Sequence, residues 1–333
     1  DCVVDLHADT QVIAIFKLNY TLSVERTNCG DGTVTSISEG IDCGPDCSEI
    51  YPSGTDIVLT ATPDSGSTFK AWSGACTGQG ACIINLSADT SVSAEFVQPD
   101  PLYFDQWHLK NTGQGGGTPG EDINVEPVWQ SGLFGLNVRI AIVDDGLEIA
   151  HEDITPNILP GESYDYVDGD TDPTRGWHGT PVAGLAMARD GGECIGGKGV
   201  ASRSSTVGYA LIDNATPANE EDAMIRDMAI NSVSNNSWGT TDDGRLEKSF
   251  LEWRNAIDAG LIAGRGGRGL VYVFAAGNGA EMNDNSNYCG YSNYRGVIAV
   301  AAVNDLGYQT FYSESGANLW LSAPSDDMMD PCI

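Results

Sequence analysis

The hydrophobic rhythm of the chain changes near residue 98. Before that point apolar and polar positions alternate in short runs, at Tyr20 to Val24, Asp56 to Ala61 and Ser91 to Phe96. A period of two sets one face of a strand against a core and leaves the other in water. Clusters of Gly and Asn, such as Asn28 to Gly32, supply the turns between them. After that point β-branched apolar runs occur at Val138 to Val143, Thr206 to Ile212, Leu270 to Ala275 and Val297 to Val303. Stretches of helical pattern lie between them, at His178 to Arg189, Glu220 to Ile230 and Leu246 to Ala259. This alternation predicts an α/β fold, a parallel sheet with helices on both faces. The Q-P-D-P stretch, Gln98 to Pro101, marks the boundary.

The first part also repeats itself. Cys2 to Phe16 matches Cys82 to Phe96 at a constant offset of 80 residues. Residues 1–16 therefore read as the end of a truncated β-repeat, 17–97 as a complete repeat module, and 98–333 as a second domain. A length of 333 residues with 41% hydrophobic content suits two domains with a real core. The longest apolar runs fall far short of the ~18 residues of a membrane span. No signal peptide is visible and the first residue is not Met, which we read as a missing N-terminus and not as cytoplasmic residence.

Charge narrows the partners. With 47 acidic against 16 basic residues the net charge is −31, which argues against nucleic acid. It suits a self-repelling protein that gathers divalent cations or basic substrates, and equally an acidic surface adapted to salty surroundings. Nine Cys include the close pairs Cys43 with Cys47 and Cys76 with Cys82. Small disulfide loops, and hence an oxidising compartment, are the expectation. Zinc is the rival, but only His7 lies near these thiols.

Three short stretches hold the candidate chemistry. V-D-D-G-L, Val143 to Leu147, places Asp144 at the end of an apolar strand. In open parallel sheets active residues gather at such carboxyl ends. About 30 residues later comes W-H-G-T, Trp177 to Thr180, where His178 opens a helix that tolerates Pro181 in its first turn. F-A-A-G-N-G, Phe274 to Gly279, offers Asn278, a neutral amide suited to a developing oxyanion. His7, His108 and His151 lack any such context. A fourth run, Asp165 to Asp172, packs four carboxylates into eight residues and offers only oxygen, the donor of hard cations.

In this order the motifs resemble the subtilisin-like serine peptidases, kexin and furin branch, from about Asp100 to Pro324. The doubled Asp144-Asp145 marks the branch. The resemblance implies a subtilisin-like sheet and a secreted, calcium-dependent serine endopeptidase acting on proteins or peptides. It makes Asp144 the residue that orients His178, His178 the general base, and Asn278 the oxyanion donor. It assigns the edge of Ser234 to Gly239, including Ser237, Trp238 and Gly239, to the substrate backbone. Asp242 and Asp145 would face basic side chains before the scissile bond. Calcium sites are implied at Asp165, Asp170 and Asp172; at Asp242, Asp284 and Glu314; and at Asp100 and Asp153 with the 189–197 loop. Cys194 and Cys332 resemble a bridged pair of the branch. The chain departs from the pattern at Cys289 in Y-C-G-Y, at Arg175 and at Ile225, where acidic residues are the rule. The Gly-Thr-Ser-Ala stretch that carries the nucleophile does not occur. The expectation is a serine beyond residue 333 and a chain inactive by itself.

The first part resembles the Cys-containing β-repeat modules of secreted and surface-attached bacterial proteins, through Gly32 to Ser36 and Ala61 to Cys76. That implies a bacterial extracellular setting, with the repeats as a stalk or a means of cell-surface attachment. A second class stays open: a catalytically inactive peptidase-like adhesin.

Overall fold

The computed structural model describes residues 17–37, 40–191 and 194–325. The repeat end at 1–16 and Cys332 lie outside the described residues. The chain divides into two compact units, 1–99 and 100–333.

The first unit is a β-sandwich of eight strands. They are β1 (Asn19–Thr27), β2 (Gly32–Ser36), β3 (Asp42–Cys43), β4 (Ser48–Pro52), β5 (Asp56–Pro63), β6 (Thr68–Gly74), β7 (Cys82–Asn85) and β8 (Thr90–Val97). One sheet runs β4-β1-β8-β6 and the other β3-β2-β5-β7. Pairing is antiparallel except between β1 and β8. Both sheets feed one core of Leu22, Val34, Ile57, Leu59, Trp72 and Phe96. The alternation is literal: Leu22 and Val24 are buried while Ser23 and Glu25 are exposed. β1, β5 and β8 follow the three alternating runs. The shorter strands escaped the pattern because segments such as Gly32–Ser36 are rich in small polar residues. Disulfides Cys43–Cys47 and Cys76–Cys82 close local loops around Cys43 and Cys82, both of which sit in the core.

The second unit is α/β. Its elements are α1 (Glu126–Gln130), β9 (Arg139–Asp144), β10 (Tyr164–Asp165), α2 (Gly179–Met187), β11 (Ser205–Ala210), α3 (Pro217–Ile225), β12 (Val233–Asn236), α4 (Leu251–Gly267), β13 (Val271–Ala275), β14 (Ile298–Val303) and β15 (Leu319–Pro324). The seven strands form one parallel sheet in the order β10-β11-β9-β12-β13-β14-β15.

All six residues of β9 are buried, because helices cover both of its faces. Ile140 and Ile142 pack with Ala183 and Met187 of α2. Ala141 and Val143 join the opposite cluster, with Met224 of α3 and Trp253, Ala256 and Ile257 of α4. Each such fully buried large side chain stabilises the fold by roughly 1.5–3 kcal/mol. α4 starts five residues later than its sequence pattern and runs further, ending where Gly264 turns extended and Arg265 and Gly266 adopt positive φ.

Candidate active site

Parallel strands align their carboxyl ends, and β9, β12 and β13 are neighbours in the sheet. Asn236 pairs with Val143 on one side and Phe274 on the other. Asp144, the 237–239 segment and the turn bearing Asn278 thus leave the same edge of the sheet, where open α/β folds place their sites.

Asp144 is 0% exposed. Its Oδ1 lies 2.8 Å from Nδ1 of His178 and also accepts the N–H of Asp145 at 2.8 Å. Two glycines permit this contact. A Cβ on Gly179 would sit 2.0 Å from the carbonyl oxygen of Gly146 and 2.9 Å from Cβ of Asp144. A Cβ on Gly146 would sit 2.0 Å from the carbonyl oxygen of Arg175. Any larger residue would force the imidazole away from the carboxylate. The hydrogen bond to Asp144 raises the His178 pKa above its ordinary 6.5, against the opposing effect of burial and with help from the charges of Asp144 and Asp145. Among the described residues nothing bonds Nε2, and the side chain is 42% exposed. A carboxylate on Nδ1 fixes the tautomer that leaves Nε2 free to take a proton.

Asp145 is held differently. Its oxygens accept the N–H groups of Trp177, His178 and Gly179 at 3.0, 3.0 and 2.9 Å. Burial pushes its pKa up, but these bonds outweigh it and keep the carboxyl below its usual range. Asp145 therefore clamps the start of α2.

Beyond β12 and β13 a cavity is walled by Trp238, Gly239, Asp242, Asn278, Cys289 and Glu314. Trp238 stands edge-on to Phe274 and Tyr291. Cys289 is a free thiol. Asp242, Asp284 and Glu314 bring one oxygen each within 4.8 Å of one another. Burial pushes the Glu314 pKa up to about 7, with the Gly279 N–H opposing and the charges of Asp284 and Asp242 adding. No basic residue lines the cavity. Carboxylates crowded in this way repel unless a cation joins them, and an all-oxygen set fits calcium. The same cluster anchors the turn that bears Asn278: the N–H of Asn278 donates to Asp242 at 3.3 Å and that of Gly279 to Glu314 at 3.1 Å. The Asn278 side-chain amide has no partner among the described residues.

Other sequence-predicted residues lie elsewhere. Ser237 accepts a bond from Asn235 and does not line the cavity. Among the described residues, Asp165, Asp170 and Asp172 do not converge as the first cluster does. Asp165 is 1% exposed and pairs with the Arg175 guanidinium at 2.8 Å, which also meets Asp168 at 2.9 Å. Asp170 and Asp172 accept the N–H groups of Asp172 and Thr174. Asp100 accepts the Gly191 N–H, and burial together with the Asp100 charge raises the Asp153 pKa. Residues 192 and 193 of the adjoining loop are outside the described residues. Ile225 packs against the core. The pairing of Arg175 with Asp165 and Asp168 and the exposure of the Trp177 ring leave no mark in the local sequence, because both depend on how the chain folds back.

Residues 135–333 match the subtilase family, and residues 20–100 match the divergent InlB B-repeat domain. Human proprotein convertase subtilisin/kexin type 7 is 37% identical over 66% of this chain and 28% of its own length. The dibasic-processing endoprotease of Schizosaccharomyces pombe is 36% identical over 70% of this chain and 33% of its own. The chain thus spans about a third of the length of these curated relatives. The crystal structure of the serine protease of Aeromonas sobria aligns at a TM-score of 0.61 and 32% identity, over 68% of this chain and 43% of that one. The family match covers well over half of the sequence and includes the strand edge where Asp144 meets His178, so this chain belongs to the subtilase family, with kexin- and furin-like homologues and a B-repeat domain ahead of the peptidase fold.

Proposed function

We propose that the chain supplies the acid–base and oxyanion groups of a secreted, calcium-dependent serine endopeptidase that cuts proteins or peptides after a basic residue. The observation that carries this is the 2.8 Å contact between Asp144 and His178, open at Nε2. The reaction needs the hydroxyl of a serine as its attacking group. His178 Nε2 takes its proton as the hydroxyl attacks the carbonyl, and returns that proton to the leaving amine. Asp144 stabilises the imidazolium in between. The Asn278 amide donates to the developing oxyanion, a bond typically worth about 3 kcal/mol in the transition state.

Asp242 in the acidic cavity supports a preference for Arg or Lys, whose cationic head it would pair. Calcium held by Asp242, Asp284 and Glu314 would neutralise their repulsion and stiffen the turn that presents Asn278. Two disulfides support an oxidising, extracellular setting, and the B-repeat match supports a bacterial surface or secreted context.

The test is hydrolysis of fluorogenic peptides ending in Arg or Phe by the enzyme carrying its serine. Faster release after Arg is expected. Equal rates would remove the basic preference, and no release from any peptide would remove the peptidase.

A further inference from the structure

A second concavity adjoins His178 and shares no lining residue with the acidic cavity. Glu148, Arg175, Gly176, Trp177 and Pro181 form its walls. Trp177 is 78% exposed, and its ring stands edge-on to the imidazole of His178 with centroids 5.8 Å apart. An indole left in water costs burial energy that a bound side chain would recover. Its position in sequence and space makes it a neighbour of any peptide that reaches the general base.

The two concavities differ in charge and size. The acidic cavity has three carboxylates and no basic residue in its lining, and encloses about 80 Å³. The groove has one carboxylate, Glu148, and one guanidinium, Arg175, which sum to zero, and encloses about 310 Å³. Arg175 is spent on Asp165 and Asp168 outside the lining. Asp145, the carboxylate expected to face a second basic side chain, lies beneath Gly176, where a Cβ would come within 2.3 Å of its carboxyl carbon. Its oxygens are already taken by three backbone N–H groups.

We propose that Trp177 is a specificity-determining residue, and that its groove takes an aromatic or bulky aliphatic substrate side chain close to the scissile bond. This deepens the peptidase reading and rests on it. The preferred substrate is then a peptide with one basic residue for the acidic cavity and one apolar residue for the Trp177 face, not a dibasic peptide.

The test is equilibrium binding of labelled hexapeptides to the 333-residue chain, read by fluorescence anisotropy. Each peptide has one central Arg and a single Phe, Lys or Ala at one flanking position. At one position Phe should bind roughly five- to tenfold more tightly than Ala or Lys. Trp177→Ala should erase that advantage and Trp177→Phe should keep most of it, with melting temperatures unchanged because the ring is exposed. The Arg requirement should survive both substitutions. Arg-dependent binding in which Lys equals or exceeds Phe at every position overturns the groove proposal while leaving the acidic cavity standing. So does a Phe advantage that Trp177→Ala leaves intact. A Trp177-dependent Phe advantage without any Arg requirement keeps the groove and overturns the basic preference. Absence of binding by every peptide overturns both.

Discussion

Asp144, His178 and Asn278 meet three different environments, and the separate roles proposed for them follow from those surroundings. Asp144 is sealed from water, so its charge acts on one neighbour, His178, and on its own next backbone N–H. His178 is half-exposed, so its other nitrogen is open to solvent. Asn278 is exposed, yet the backbone on either side of its peptide is tied to Asp242 and Glu314. Asn278→Ala should therefore cost about 100- to 1000-fold in kcat in the enzyme with its serine, with KM little changed and folding intact. Steady-state kinetics check this. A loss confined to KM would make Asn278 a ground-state contact and remove its oxyanion role. Asp144, His178 and Asn278 were legible because each sits in a motif whose Gly neighbours serve close backbone approach. Arg175 was not, because its role depends on Asp165 and Asp168, which the fold, not the local pattern, folds back onto it.

At the scale of elements, long apolar runs announced themselves and short or half-covered ones did not. β9, β11, β13 and β14 follow the β-branched runs, and α2 begins at the residue after His178. β12, Val233–Asn236, is hidden in the sequence, since V-S-N-N has a single apolar residue and is central only through its neighbours β9 and β13. β15 has two exposed large apolar residues, Trp320 and Leu321, and no period that marks it as a sheet strand. The segment leading into α1 hides a liability of its own. His108 is 8% exposed, its Nε2 has no hydrogen-bond partner among the described residues, and burial lowers its pKa from 6.5 to about 4. The folded state thus binds this proton less well than the unfolded chain. Its contribution is whole above pH 6.5 and is lost as pH falls towards 4, on the order of 3 kcal/mol across that window. His108→Phe should flatten the acid side of the melting-temperature profile. Superimposable profiles for the two proteins would show that His108 plays no part in acid unfolding.

Across the whole molecule, acidity has to be managed. A net charge of −31 opposes compaction, and the sharpest local case is Asp242 with Asp284 and Glu314. Calcium bound there would relieve that repulsion and add stability by mass action, about 2.7 kcal/mol at a concentration 100 times Kd. Chelation should then lower the melting temperature of the peptidase unit by about 5 °C or more, and Asp284→Ala should abolish the response. A melting curve indifferent to chelator would leave the cluster as solvated surface. The change of rhythm and the Q-P-D-P stretch, Gln98 to Pro101, straddle the point between residues 99 and 100 where the chain divides. The repeat end at 1–16 and Cys332, the expected partner of Cys194, lie outside the described residues.

The peptidase proposal depends most on Asp144 holding and polarising His178 as a base. NMR titration of the His178 ring in the 333-residue chain tests it without any need for turnover. A pKa above 6.5 that falls in Asp144→Asn is expected, because the largest cause of the rise is the bond to that carboxylate. A His178 pKa at or below 6.5, unmoved by the substitution, would show that Asp144 does not polarise the ring.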